Sequence, residues 1–237
     1  MNMSPEVPFS LVFLAGGTGT RMVNTIPKQY LDVYQKPLAF YSFEIFLSLP
    51  EIKNFIIVCD PQYHALFNNF AQAKGIHLQF TQPGLRRQDS VFNGIQQLSG
   101  NPLVCIHDAA RPLIETAIVR QVVQTAERWE AAVVGVKVKS TIKVCDGAQV
   151  IIETLDRASL WEMQTPQVIR LDLLKEGFMY AQQHQLTLTD DVSLVEVLGK
   201  PVKVVEGSYA NIKVTTPEDL IFVEKLIEKR CNATKLL

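Results

Sequence analysis

The sequence predicts a doubly wound α/β fold with a mainly parallel sheet and a protruding β-hairpin arm. Short apolar runs typical of buried strands alternate with helical segments along most of the chain, which favours βαβ units. The alternation breaks between Ser140 and Arg157, where two β-rich runs flank an Asp146-Gly147 turn and predict a hairpin. Hydrophobic residues make up 47% of the 237 residues and charged residues 20%, a composition that excludes disordered, collagen-like and small disulfide-rich proteins.

Each element is predicted from local signals. Strands are expected where an apolar run ends in turn residues, at Ser10–Ala15, Asn54–Asp60, 76–80, Pro102–Asp108, 131–138, 201–207 and 211–215. Helices are expected where apolar residues recur at helical spacing, at Pro37–Leu49, 61–73, 87–99, 115–129, 171–185, 190–199 and Pro217–Lys229. The prediction is a single domain over residues 1–237 with an arm at 140–157. A protruding hairpin has exposed strand edges that must be covered, and a second subunit would cover them. The arm therefore also predicts a homodimer.

Charge and cysteine usage narrow the function classes. The formal net charge of -1 shows no basic surplus for nucleic acid. The four cysteines form no C-x-x-C pair, so a zinc site is disfavoured and a reduced intracellular protein is expected. The first residues do not resemble a signal peptide, and no apolar run approaches the roughly 20 residues that span a bilayer. We therefore expect a cytoplasmic protein with neither a nucleic-acid nor a membrane partner.

A glycine-rich segment, LAGGTGTRM, follows the first predicted strand. Gly16, Gly17 and Gly19 let the backbone turn tightly and present its N–H groups to a phosphate. The segment lacks the G-K-[ST] of a P-loop, and Met22 stands where the dinucleotide-binding spacing G-x-G-x-x-G needs its last glycine. Two cations accompany it, Arg21 and, in the following PKQY segment, Lys28. This combination suits a triphosphate with its about four negative charges.

The combined motifs resemble one family of nucleotidyltransferases. They are AGGTGTRM with PKQY, RQDSV (Arg87 to Val91), HDAARP (His107 to Pro112), TLDRASLWEMQTPQ (Thr154 to Gln167), TDD (Thr189 to Asp191) and NIKVTTPEDL (Asn211 to Leu220). In this order and spacing they are similar to the 2-C-methyl-D-erythritol 4-phosphate cytidylyltransferases of the non-mevalonate isoprenoid pathway. The resemblance runs from Ser10 to Lys229 and implies a Rossmann-like nucleotidyltransferase fold.

The resemblance also implies a reaction and a set of nucleotide contacts. A phosphate oxygen of methylerythritol phosphate attacks the α-phosphorus of CTP in line, and pyrophosphate leaves. CTP lies over the loop of Ala15, Gly16, Gly17 and Gly19. Arg21 and Lys28 stabilise the transition state, Asp108 binds Mg²⁺, and the cytosine is read by Gly84, Arg87 and Ser90.

The remaining implied residues serve the acceptor. Arg157 and Lys213 position its phosphate and belong to the catalytic set, while further contacts come from Arg111, Thr141, Thr165 and Thr189. In the family the arm clasps the partner subunit and lends residues to its site. Two departures concern the choice of acceptor: Leu14 and Gly16 stand where proline and alanine are frequent, and Leu85 and Arg86 replace a more acidic pair of some members. The alternatives are therefore a cytidylyltransferase for ribitol 5-phosphate or another polyol phosphate, and a non-catalytic nucleotide-binding regulator.

Overall fold

A computed structural model describes residues 6–17 and 26–234, with side chains up to Arg230. The strands are β1 (Phe9–Leu14), β2 (Asp32–Val33), β3 (Lys36–Pro37), β4 (Ile52–Val58), β5 (Leu78–Thr81), β6 (Leu103–Asp108), β7 (Ala131–Lys137), β8 (Lys143–Cys145), β9 (Ile151–Thr154), β10 (Trp161–Arg170) and β11 (Lys203–Glu206). The α-helices are α1 (Leu38–Leu47), α2 (His64–Gln72), α3 (Arg87–Ile95), α4 (Thr116–Trp129), α5 (Leu171–Gln183), α6 (Ser193–Glu196) and α7 (Pro217–Thr234). Short 3₁₀ turns occur at Lys28–Tyr30, Pro61–Tyr63 and Arg157–Ser159.

Within the described residues, one seven-stranded sheet organises the molecule, in the order β11-β7-β10-β6-β1-β4-β5. All neighbouring pairs are parallel except those that β10 makes with β6 and β7. Alternate residues of β1 serve opposite faces of the sheet. Leu11 and Phe13 join a core with α1, α2 and α4, whereas Val12 joins a second core with α3, α5 and α6. Helices therefore cover both faces, and the predicted doubly wound, mainly parallel fold is confirmed.

The strand order changes direction at β1, which pairs with β4 on one side and β6 on the other. Leu14, at the end of β1, is in register with Asp108, at the end of β6. Open α/β sheets bind ligands at such a switch point, beyond the carboxyl ends of the strands. The glycine-rich segment begins at this position.

Three predictions of local structure differ from the observed fold. β10 is a long strand that the sequence did not reveal, because its run is polar and contains Pro166, which cannot donate to a ladder. Its pairing with β7 is interrupted between Met163 and Gln167, around this proline. The strand predicted at 211–215 was wrong, since these residues form no ladder.

The helix predicted over 190–199 shrinks to the single turn of α6. The N–H groups of Asp191 and Val192 donate to the Gln167 side chain, both at 2.9 Å, which holds the segment before α6 out of a longer helix. Gly199 has a φ of +68° and closes the segment. A side chain from another element thus decided where this helix begins.

The predicted hairpin is present, as β8 and β9 pair antiparallel in a separate two-stranded sheet. Every residue of both strands is exposed. Val150, Ile151 and Ile152 are 60%, 59% and 66% exposed, an unusual amount of apolar surface for one hairpin. The arm therefore protrudes from the sheet.

None of the helices in the described ranges is long and apolar enough to cross a membrane.

Candidate active site

A cavity of about 320 Å³ lies at the switch point, beyond the carboxyl ends of β1 and β6. Its lining consists of Leu14, Gly16, Gly17, Lys28, Gln29, Gly84, Leu85, Arg86, Arg87, Ser90, Asp108, Ala110, Lys213 and Thr215. Eight of these are predicted site residues: Gly16, Gly17, Lys28, Gly84, Arg87, Ser90, Asp108 and Lys213. They come from distant parts of the chain and share one cavity. Gly19 and Arg21 lie outside the described residues.

Two predicted glycines are required by packing against neighbouring segments. A Cβ on Gly16 would lie 2.3 Å from Cγ of Pro83, and a Cβ on Gly84 would lie 2.2 Å from Cβ of Asp89. Both distances are far below any real contact, so an alanine at either position would displace the backbone. Gly16 therefore lets Pro83, in the loop before α3, lie against the start of the glycine-rich segment, and Gly84 lets the same loop lie against Asp89 in the first turn of α3.

The start of α3 presents Ser90 at the cavity. The Gly84 N–H donates to Oγ of Ser90 at 3.0 Å, and Oγ of Ser90 lies 3.3 Å from the Arg86 carbonyl. Asp89 accepts the Arg86 N–H at 3.0 Å and so caps the helix. Gly84 and Ser90, two of the predicted cytosine contacts, are therefore joined by a hydrogen bond between the loop and α3.

A network of four charged side chains lies at one wall of the cavity, and three of them, Arg87, Asp108 and Lys213, line it. Arg87 binds both carboxylate oxygens of the buried Asp191 at 2.8 Å and donates from Nε to Oδ1 of Asp108 at 3.0 Å. Nζ of Lys213 lies 2.7 Å from the other oxygen, Oδ2, of Asp108. Asp108 therefore lies between two cations, one on each carboxylate oxygen.

This arrangement determines the charge states of the network. Burial by itself would raise the pKa of Asp108, but Arg87 and Lys213 outweigh it and hold that pKa well below its usual range. Burial opposes the charge on Arg87, yet Asp191 and Asp108 raise the pKa of the guanidinium above its ordinary value. Burial raises the pKa of Asp191 from its ordinary value, an effect that Arg87 only partly offsets. Asp108 is thus an ionised carboxylate facing the cavity at any ordinary pH.

Behind Asp108, a buried hydrogen-bonded chain links β6 to β10. The Asp108 N–H donates to Oγ1 of Thr165 at 3.0 Å, and this hydroxyl lies 3.2 Å from Nδ1 of His107. Nε2 of His107 lies 3.0 Å from the Arg111 carbonyl, which assigns the proton to Nε2 and leaves Nδ1 to accept from Thr165. Burial lowers the pKa of His107 to about 4, so its ring is neutral at pH 7. His107 is a structural residue in this arrangement.

Replacing Thr165 by valine tests whether this hydroxyl serves the fold or the acceptor. The substitution leaves the Asp108 N–H and a ring nitrogen of His107 buried without partners, so we expect a loss of about 1–3 kcal/mol of unfolding free energy in a denaturation experiment. If Thr165 has a structural role, the KM for the acceptor should stay unchanged. A raised acceptor KM with normal stability would instead support the predicted substrate contact.

The other predicted acceptor residues lie outside this cavity in the described part of a single chain. Arg111 donates to the Asn211 carbonyl at 2.8 Å, and burial lowers the pKa of its guanidinium. Arg157 is exposed at the base of the arm, where it donates to the Lys139 carbonyl at 3.0 Å. Thr141 and Thr189 are exposed. The roles of these four residues stay predictions.

A Mg²⁺ ion is predicted at Asp108, and the residues around it can be compared with the ligands that this ion takes. Among the described residues, no cluster of three or more His, Cys, Asp or Glu side chains could hold a metal ion. Asp108 is the one carboxylate in the described lining. Each carboxylate oxygen can accept a further ligand beside its present partner. One carboxylate plus substrate phosphates is a usual ligand set for Mg²⁺, so the residues present fit the predicted ion in that form.

Sequence reasoning missed two residues that organise this site. Asp191 belongs to the TDD motif, but only Thr189 of that motif received a role. Gln29 belongs to PKQY, in which only Lys28 was predicted to contact the ligand. A buried acidic residue near a predicted cluster of cations was the available signal for Asp191, whereas a glutamine carries no such signal.

The chain is similar in sequence to a known family over most of its length. Residues 9–229 match the family model described as 2-C-methyl-D-erythritol 4-phosphate cytidylyltransferase. The chain is 47% identical over 226 residues to the chloroplastic protein of that name from Oryza sativa subsp. japonica, covering 95% of this chain and 76% of the relative. It is 41% identical to the protein of that name from Chlamydia pneumoniae, covering 92% and 98%.

Solved structures place the fold in the same group. The cytidylyltransferase of Thermus thermophilus superposes with a TM-score of 0.76 at 30% identity, covering 93% of this chain and 98% of that one. A 4-diphosphocytidyl-2C-methyl-D-erythritol synthase from Anaerococcus prevotii has a TM-score of 0.83 at 23% identity, covering 94% and 100%, and supports the fold. On the sequence match over almost its whole length, this chain belongs to the 2-C-methyl-D-erythritol 4-phosphate cytidylyltransferase family.

Proposed function

We propose that this protein transfers the cytidylyl group of CTP to 2-C-methyl-D-erythritol 4-phosphate in the non-mevalonate isoprenoid pathway. The products are 4-diphosphocytidyl-2-C-methyl-D-erythritol and pyrophosphate. The observation that carries the proposal is one cavity at the switch point that combines the glycine-rich segment, Lys28, Lys213 and the ionised Asp108. Family membership supplies the identity of the two substrates.

The reaction needs charge stabilisation more than proton transfer. An oxygen of the acceptor phosphate forms a bond to the α-phosphorus of CTP, and the bond from that phosphorus to the bridging oxygen of pyrophosphate breaks. The attacking phosphate is already an anion, so no general base is required. Lys28, with the predicted Arg21, is placed to neutralise charge on the phosphates, and such preorganised groups dominate phosphoryl transfer.

Asp108 and Lys213 have separate electrostatic roles in this proposal. Asp108 would hold the Mg²⁺ that accompanies CTP, and a bound Mg²⁺ supplies charge neutralisation on the phosphate oxygens. Lys213 borders the same cavity and is predicted to bind the acceptor phosphate. Arg87, held by two carboxylates, orients Asp108 from the opposite side.

A homodimer completes the proposal. Arg157 and Thr141 belong to the arm and lie outside the cavity of their own chain, and Val150, Ile151 and Ile152 expose apolar surface on that arm. A second copy that covers the arm would bury this surface and bring arm residues toward an acceptor site. The predicted cytoplasmic location and the absence of nucleic-acid partners stay predictions from composition.

Replacing Arg157 by alanine should raise the KM for the acceptor, since the substitution removes a proposed phosphate contact, while the KM for CTP stays near the wild-type value. Loss of one charged hydrogen bond corresponds to roughly a 10- to 100-fold change. Steady-state kinetics with each substrate varied in turn gives the two constants. A change confined to the KM for CTP would contradict the assignment.

The function itself is tested by pyrophosphate release from CTP with a panel of acceptors. We expect release with methylerythritol phosphate at a kcat/KM well above that with ribitol 5-phosphate or other polyol phosphates. A preference for ribitol 5-phosphate would support cytidylyl transfer but contradict the proposed acceptor. CTP binding without release for any acceptor would instead indicate a nucleotide-binding regulator.

A further inference from the structure

The side chain of Gln29 holds two carbonyl groups of the glycine-rich segment. Its Nε2 donates to the carbonyl oxygens of Ala15 and Gly17, each at 2.8 Å, and the residue is only 3% exposed. Both partners are acceptors, so only the NH₂ end of the amide can face them. The two protons of this one nitrogen therefore have defined partners, twelve and fourteen residues earlier in the chain.

Tyr30 reinforces the first of these contacts. Its hydroxyl donates to the Ala15 carbonyl at 2.9 Å, and its ring stacks on Tyr63 with centroids 3.5 Å apart. Burial raises the pKa of this hydroxyl above its ordinary value, so it stays a protonated donor. The Ala15 carbonyl thus receives hydrogen bonds from two side chains, and the Gly17 carbonyl receives one from Gln29.

These contacts matter because of what a triphosphate requires from a backbone. Phosphate oxygens are attracted by N–H groups and repelled by carbonyl oxygens. In a planar trans peptide the C=O and the following N–H point in opposite directions, so holding the Ala15 carbonyl directs the Gly16 N–H away from Gln29 and Tyr30. A glycine has wide conformational freedom, and no atom of the described residues lies within 4 Å of a Cβ placed on Gly17. In the described part of the chain, the hydrogen bond from Gln29 is what restrains the Gly17 carbonyl.

We propose that Gln29 is a positioning residue that keeps the carbonyl oxygens of Ala15 and Gly17 engaged, and so holds the backbone of residues 15–17 with the Gly16 N–H available to a phosphate. The proposal rests on the proposed function for the identity of the ligand. Gln29 acts through the backbone and takes no part in bond formation. Its effect should therefore appear in the binding of phosphates and not in the binding of the base.

The test compares Gln29→Met, Gln29→Glu and Tyr30→Phe. Methionine keeps the volume but removes both donors, glutamate directs carboxylate oxygens at the two carbonyls, and phenylalanine removes one of the two donors to Ala15. Matched controls are Gln121→Met and Gln121→Glu, on the exposed face of α4. Calorimetric titration in a magnesium buffer measures the Kd of CTP, of inorganic tripolyphosphate as a probe of the phosphate site, and of cytidine as a probe of the base site.

For Gln29→Met we expect the Kd of CTP and of tripolyphosphate to rise roughly 10- to 100-fold, from the loss of two hydrogen bonds. Cytidine affinity should stay near the wild-type value, and the variant should fold with a lowered unfolding temperature because the Gly17 carbonyl loses its side-chain donor. Gln29→Glu should bind phosphates more weakly still, and Tyr30→Phe should show a smaller loss. The Gln121 variants should match the wild type.

Two results would overturn the proposal. One is unchanged tripolyphosphate binding in Gln29→Met. The other is failure of Gln29→Met to fold, or a parallel loss of cytidine binding and unfolding temperature, since either outcome would give Gln29 a purely structural role. Failure of the proposed function is a separate outcome, because it would appear as a wild-type protein that releases no pyrophosphate from CTP with methylerythritol phosphate.

Discussion

Replacing Lys28 by methionine should lower kcat by about 10²–10³-fold, the usual cost of removing one group that stabilises transition-state charge. Lys28 borders the cavity beside Gly16 and Gly17, at the point where the phosphates of a nucleotide are proposed to lie. Methionine keeps most of the aliphatic stem and removes the ammonium, so the substitution isolates the charge. Single-turnover measurement of pyrophosphate release, with both substrates saturating, reports the chemical step directly.

The control for this prediction is Lys53→Met. Lys53 is an exposed lysine near the amino end of β4, so it lies at the opposite edge of the sheet from the cavity. Both variants should retain the wild-type unfolding free energy within about 0.5 kcal/mol. Wild-type turnover in Lys28→Met would remove Lys28 from the mechanism.

Replacing Asp191 by alanine should destabilise the protein by about 3 kcal/mol, because it leaves the Arg87 guanidinium without its bidentate partner. The lower end of the usual range applies because Arg87 is 28% exposed and keeps its contact with Asp108. Freed from Asp191, Arg87 is expected to shift, so the KM for CTP should rise as well. Denaturant unfolding measures the first effect and steady-state kinetics the second.

A double variant separates stability from function. Combining Asp191→Leu with Arg87→Met removes both charges, which should recover part of the lost unfolding free energy. Nucleotide affinity should not recover, since the cation that orients Asp108 is absent. Glu228→Gln, which breaks the exposed Lys225–Glu228 pair, serves as the reference and should leave stability close to that of the wild type. Recovery of both properties in the double variant would show that Arg87 has no role in binding.

Local sequence signals predicted most strands of the sheet. Two segments, β10 and residues 211–215, show where these signals fail. β1, β4 and β6 are largely apolar runs ended by turn residues, and each was predicted within about two residues of its observed bounds. β10 was missed because its strand character comes from two neighbours, β6 and β7, and not from its own polar residues. Residues 211–215 have a β-like composition but form no ladder. Asn211 donates to the Thr165 carbonyl of β10, and Lys213 pairs with Asp108 at the carboxyl end of β6.

The same division applies to the site. Glycines and cations directly after apolar strands pointed to one cavity, because the carboxyl ends of parallel strands meet at one edge of the sheet. The pairing of Arg87 with Asp191 spans 104 residues and has no counterpart in local spacing. The two hydrogen bonds from Gln29 have no counterpart in local spacing either. A polar side chain next to a cation in the sequence does not reveal which backbone carbonyls it will contact.

By itself, the sequence determined the fold class, the family, the hairpin and the residue types that meet at the end of β1, since these follow from apolar periodicity, turn residues and motif order. Only the tertiary structure decided which carboxylate pairs with Arg87 and which carbonyls accept hydrogen bonds from Gln29. It also decided which neighbouring atoms exclude a side chain at Gly16 and Gly84. The physical reason is range: periodicity and turn chemistry act between residues close in the chain, whereas a buried hydrogen bond or ion pair depends on where distant segments meet.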